Sequence, residues 1–164
     1  MKRWSGVTAL LLALVMAAPV RAQELGIEVG QPAPAAKVYT LDGKETDLAQ
    51  YFGKGVVVME FWATWCPNCK ELEPAVHSVM KKYDKQVQFI GVAVSVNQNP
   101  ARVKAYVDKY ALPGVHLYDT RGNATDVYDV PATSYVVVVN KAGKVVYTGL
   151  GGKQDLEAAI KKAM

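Results

Sequence analysis

The chain has 164 residues, a formal net charge of +4, 51% hydrophobic residues and two cysteines, Cys66 and Cys69. That length suits one domain, and the composition excludes a wholly disordered chain. A basic balance points to nucleic acid only when the charge is clustered on the working domain.

It is not clustered there. Lys2 and Arg3 open the chain, and residues 7–20 (VTALLLALVMAAPV) carry no charge. Such a run is short of the ~20 apolar residues that a membrane-spanning helix needs. A basic start, a short apolar core and a small-residue exit are the pattern of an export signal, so residues 1–22 are expected to be a signal peptide cleaved after Ala22. The alternative is an uncleaved N-terminal membrane anchor. Losing Lys2, Arg3 and Arg21 from 19 basic side chains leaves 16 against 15 acidic ones. The expected domain, residues 23–164, is therefore nearly neutral, and no nucleic-acid partner is expected.

Residues 23–37 are interrupted by Gly30, Pro32 and Pro34 and read as irregular. Asp42-Gly43 sits between two short strand-like stretches and predicts a hairpin. Asp47 is placed to cap a short helical turn over residues 48–52. Residues 56–61 (VVVMEF) and 87–96 (VQFIGVAVSV) read as strands buried on both faces. Between them, a helix is predicted from Pro67 to about Tyr83, with Leu72, Ala75, Val76, Val79 and Met80 on one side. Pro67 fits the first helical turn, and Pro74 should kink the helix. Asn99-Pro100 caps and opens a second helix that runs to Tyr110.

A third strand is expected at residues 115–118 and a short helix at 124–128, capped by Asn123. Asn123-Ala124-Thr125 also matches a glycosylation sequon. Residues 133–140 form a β-branched strand, a hairpin leads to residues 144–148, and residues 153–164 make an amphipathic helix. Strands alternating with helices indicate an α/β fold: a central mixed sheet flanked by helices, with an N-terminal β-hairpin.

Two cysteines three positions apart make a poor structural staple. The chain-entropy stabilisation of so small a loop is about 2 kcal/mol, against about 4.7 for a 100-residue loop. Chemistry explains the spacing better. Cys66-Pro67-Asn68-Cys69 stands where a buried strand meets a helix. A thiolate there faces unpaired N–H groups and the positive end of the helix dipole. Cys66 is expected to be the attacking thiolate and Cys69 the resolving thiol. Glu60 lies in the apolar strand six residues before Cys66. Burial should raise its pKa and suit it to exchange a proton with Cys69. Trp62 is expected to pack and Trp65 to form an apolar rim for substrate. His77 and His116 read as structural or surface histidines.

The segment Glu60-Phe61-Trp62-Ala63-Thr64-Trp65-Cys66-Pro67-Asn68-Cys69 resembles the active-site strand and turn of the thioredoxin superfamily, whose tuned C-x-x-C thiol is a standard example of lowered cysteine pKa. In that resemblance Glu60 matches the buried acid, Trp62 and Trp65 the active-site tryptophans, and Pro74 the helix-kinking proline. Val130-Pro131 resembles the cis-proline site, which would present backbone to an extended substrate segment. The hairpin and the extra helix–strand insert, residues 100–118, are more like the TlpA/ResA-type extracytoplasmic thioredoxins. In two respects the chain departs from the pattern. Many of those members have Asn at the Glu60 position, and the stretch from Pro131 to Gly143 is a few residues longer here.

The resemblance implies an extracytoplasmic or periplasmic thiol–disulfide oxidoreductase working through a mixed disulfide, as a reductant of the cytochrome c maturation type or a general one. It implies protein thiol or disulfide substrates, a membrane-bound electron donor and a monomer. No cofactor beyond a Cys66–Cys69 redox disulfide is implied, and no metal. The competing reading is a Cu(I)-handling protein that uses the two thiolates. A peroxidase would want a lone peroxidatic cysteine.

Overall fold

The computed structural model describes residues 25–164. The expected signal peptide, residues 1–22, lies outside the described residues. Seven strands form one mixed sheet: β1 (Lys37–Thr40), β2 (Glu45–Asp47), β3 (Val56–Trp62), β4 (Val87–Val94), β5 (Val115–Asp119), β6 (Tyr135–Val139) and β7 (Val145–Leu150). Their spatial order is β2-β1-β5-β4-β3-β6-β7. β3, β4 and β5 run parallel, whereas β1, β6 and β7 pair antiparallel to their neighbours. The helices are α1 (Pro67–Tyr83), α2 (Pro100–Tyr110), α3 (Asn123–Val127) and α4 (Leu156–Ala163).

β3 is an interior strand, and all seven of its residues are buried. It is flanked by β4 and β6, so both of its faces must be covered, which is why VVVMEFW runs apolar without alternation. Val56 and Val58 pack with Leu72, Val76, Val79, Phe89, Leu156 and Ile160 beneath α1 and α4. Met59 and Phe61 pack on the other side with Ile90, Val92, Leu117, Tyr128 and Val137. Each such side chain contributes about 1.5–3 kcal/mol through burial.

Helix α1 starts where the sequence places it. Cys66 is its N-cap, accepting a hydrogen bond from the Cys69 N–H, and Pro67 is its first residue. Leu72, Val76, Val79 and Tyr83 fall on the buried stripe. Pro74, inside the helix, has no N–H for the carbonyl one turn back. Asn99 caps α2 by accepting from the Arg102 N–H at 2.9 Å.

Three local expectations are corrected. α3 is entered through Gly122 in the left-handed region, without a side-chain cap, and Asn123 instead donates to the Lys37 carbonyl. β6 begins at Tyr135 rather than Thr133. The reason is Ser134, at φ 63°, which breaks the extended run. It is held there by its N–H on the Phe61 carbonyl and its hydroxyl on the Gly151 carbonyl. α4 begins at Leu156 because Asp155 caps it, accepting from the Ala158 N–H.

The chain enters β5 through Gly114, at φ +91°, where an added Cβ would lie 2.4 Å from the Phe89 carbonyl oxygen. Gly114→Ala should therefore destabilise the domain by more than ~1 kcal/mol. Urea denaturation of the variant beside the unmodified protein measures this.

Candidate functional site

Strand β3 ends at Trp62, and residues 63–66 turn the chain into α1. The turn is closed by the Cys66 N–H donating to the Ala63 carbonyl. It delivers Cys66 and Cys69 to the end of β3. The two are joined as a disulfide with their Cα atoms 5.3 Å apart, and both side chains are buried. Sγ of Cys66 accepts from the Cys69 N–H at 3.1 Å. A charge on Cys66 would thus meet a backbone donor and the N-terminal dipole of a 17-residue helix.

Trp65 stands beside the disulfide, 41% exposed, with its Nε1–H donating to the Val96 carbonyl at 2.8 Å. It borders an open groove of about 830 Å³ that also takes in Val94, Val96, Arg121, Val130 and Thr133. Trp62 is buried, as expected, packing edge-on against His116 and tilted against Tyr106.

Glu60 is 7% exposed. Its Oε1 has no hydrogen-bond partner among the described residues. Burial, and secondarily the negative charge of Glu73, push its pKa up to about 8. Glu60 and Cys69 line the same small cavity of about 20 Å³, together with Trp62, Glu73, His77 and His116. The acid predicted to serve Cys69 therefore shares a cavity with it.

Sequence reasoning missed three members of this neighbourhood. His116 and His77, read as structural, both reach the cavity wall. Glu73 accepts a hydrogen bond from the Tyr106 hydroxyl at 2.9 Å, which ties α1 to α2. Only the helical spacing of Cys69 and Glu73, one turn apart, could have suggested the latter. Among the described residues, no three His, Cys, Asp or Glu side chains are grouped to hold a metal ion.

The assignment of Val130-Pro131 as a cis-proline site is corrected. No peptide bond among the described residues is cis. Ser134, not Pro131, immediately precedes β6, and its N–H is spent on Phe61. Val130 lies on the wall of the Trp65 groove. The few residues that lengthen this stretch displace the proline from the strand entry.

The fold and the dithiol define a thioredoxin-like oxidoreductase. Residues 28–163 match the Redoxin family, and the chain belongs to that family. It is 30% identical over 141 residues to the thioredoxin-like protein YneN of Bacillus subtilis, covering 84% of this chain and 82% of that one. It is 32% identical over 143 residues to the thiol-disulfide oxidoreductase ResA of Bacillus thuringiensis, covering 85% and 81%. A thiol:disulfide interchange protein of the thioredoxin family from Chlorobium tepidum superposes with a TM-score of 0.68 at 26% identity, covering 84% of this chain and 98% of the other. The chain is a thiol–disulfide oxidoreductase, and it carries a Cys66–Cys69 disulfide.

The raised pKa of Glu60 has a consequence for stability. Between the ordinary carboxylate value and about 8, the folded state keeps a proton that the unfolded chain has lost. Stability should therefore fall as pH rises through that window. Glu60→Gln should remove the slope and come out more stable above pH 8 by a few kcal/mol, at ~1.4 kcal/mol per unit. Denaturant unfolding of the oxidised protein from pH 4 to 9 is the measurement; parallel curves for the two proteins would be inconsistent with a buried neutral acid.

Proposed function

We propose that the protein is an exported reductant of protein disulfides, with Cys66 as nucleophile, Cys69 as resolving thiol and Glu60 as the proton acceptor and donor for Cys69. The observation that carries this reading is the unpartnered, buried Glu60 carboxyl on the cavity shared with Cys69. A carboxyl poised near neutral pH can both take and return a proton.

The cycle starts from the reduced pair. The Cys66 thiolate, favoured by the helix N-terminus and the Cys69 N–H, attacks one sulfur of a substrate disulfide and expels the other as a thiolate. The resulting mixed disulfide links Cys66 to substrate. Cys69 then gives its proton to the Glu60 carboxylate and attacks the Cys66 sulfur. The substrate leaves as a thiolate, and the Cys66–Cys69 disulfide forms. In the return direction a donor thiolate attacks the disulfide, and Glu60 protonates Cys69 as it departs.

Several features support protein substrates and export. The exposed Trp65 ring, next in sequence to Cys66, opens onto a groove of about 830 Å³. Val130, Pro131 and Trp65 are proposed to contact an extended substrate segment. Residues 1–22 carry the composition of an export signal. Residues 23–164 form the working domain, expected to act as a monomer, and a membrane-bound donor would return electrons to it. Trp62, Pro67 and Pro74 shape the site without touching substrate.

Cys69→Ser in the native host should accumulate mixed disulfides through Cys66, visible as reducible adducts on gels. The double variant Cys66→Ser/Cys69→Ser should trap none. Absence of any adduct with the fold intact would refute the mechanism. The reduction potential, measured against glutathione, should lie below about −200 mV, and a value near −120 mV would mark an oxidant instead.

A further inference from the structure

Strand register places Glu60 opposite Gly91 and Gly91 opposite His116. The three residues form one row across β3, β4 and β5. Glu60 and His116 are thus two strands apart, roughly 9–10 Å between backbones. Gly91, between them, has no side chain to fill the row. A Cβ added there would lie 2.5 Å from His116 Nδ1 and 2.8 Å from Trp62 Nε1. Both atoms therefore converge on the space that the glycine leaves.

Three buried polar atoms around this space lack partners among the described residues: Glu60 Oε1, Trp62 Nε1 and His116 Nδ1. All three residues line the same cavity of about 20 Å³, enough for one water molecule. Their chemistry is complementary. His116 Nε2 lies 3.2 Å from the Pro113 carbonyl oxygen, which can only accept, so Nε2 carries the proton. Nδ1 of the neutral ring is then an acceptor, and burial favours that neutral form. Trp62 Nε1–H is a donor only.

The geometry points to His116 as a positioning residue that, with Trp62, holds a single buried water against Glu60 Oε1. When Glu60 is a carboxylate, the water accepts from Trp62 and donates to both Glu60 and His116. When Glu60 is protonated, the water turns, accepts from Glu60 and Trp62, and still donates to His116. One molecule satisfies both protonation states, so Glu60 can change state without leaving a stranded polar atom. The other ionisable groups facing the cavity, Cys69, Glu73 and His77, all come from α1. Tyr106 of α2 is engaged with Glu73 and leaves the water to Glu60 Oε1, Trp62 Nε1 and His116 Nδ1. This inference rests on Glu60 being the proton partner of Cys69.

The test follows the Glu60 titration by its protonated-carboxyl infrared band in the oxidised protein, assigned by its loss in Glu60→Gln. The same variants are read by the pH dependence of Cys69 attack on a Cys66 mixed disulfide. His116→Phe keeps the ring packing and removes the acceptor. With its hold on the water lost, the carboxylate loses its donor, and both midpoints should move up by about one unit, a tenfold smaller carboxylate fraction at fixed pH. His116→Asn can place an oxygen near the Nδ1 position and should restore the midpoint to within a few tenths. Gly91→Ala, which fills the gap, should shift it as His116→Phe does. In the unmodified protein, the Trp62 indole N–H should show a nuclear Overhauser contact to a long-lived water. A dry cavity, or unmoved midpoints in folded His116→Phe and Gly91→Ala, overturns the inference. If Glu60→Gln itself leaves the pH profile unchanged, the failure lies instead in the assignment of Glu60.

Discussion

A carboxyl group sits in an interior strand of the sheet, among neighbours that are almost entirely apolar. Water would solvate it far better than this site does, and below about pH 8 the neutral form predominates. Much of the surrounding structure follows from that constraint. β3 must be buried on both faces to keep Glu60 from bulk solvent. α1 must cross above it to bring Cys69 onto the same cavity. The insert that adds α2 and β5 closes the remaining side, with Tyr106 fixing Glu73 and His116 forming part of the wall. The stability cost of one acid is exchanged for a proton store beside a resolving thiol.

The two cysteines occupy unlike surroundings for the same reason. Cys66 caps the helix, where N–H groups favour a negative sulfur. Cys69 is one turn inside and shares a small cavity with Glu60. A single strand–turn–helix therefore gives the two sulfurs different surroundings. The divergence arises from backbone position, since the residues are chemically identical.

Much of this was legible in the chain. VVVMEFW followed at once by a C-P-N-C turn announces a buried strand, a tight turn and a helix N-terminus, because each feature is local. The unusual acid in an apolar run identified Glu60 for the same reason. The row from Glu60 through Gly91 to His116 was not legible. It depends on the register of three strands separated by whole helices, and no local spacing encodes that. Pro131 misled because a proline is a conspicuous marker, whereas the residue at the strand entry is a serine. Its left-handed φ and its bond to Phe61 have no signature in composition. Gly91 read as an ordinary strand glycine, although its missing side chain opens the space on which the acid's surroundings depend.

The loop after β4 is sewn to the approach to the dithiol by a chain of bonds. Trp65 donates to Val96, the Thr64 N–H donates to the Gln98 side chain, and Gln98 in turn donates to Val94. The most exposed aromatic of the site is thus among its best-anchored parts. A partner meeting this rim finds a fixed template and orders little of it on contact. The conformational adjustment in each encounter must come from the partner. That suits a substrate caught while extended or incompletely folded, and disfavours one whose disulfide is already locked inside a finished domain.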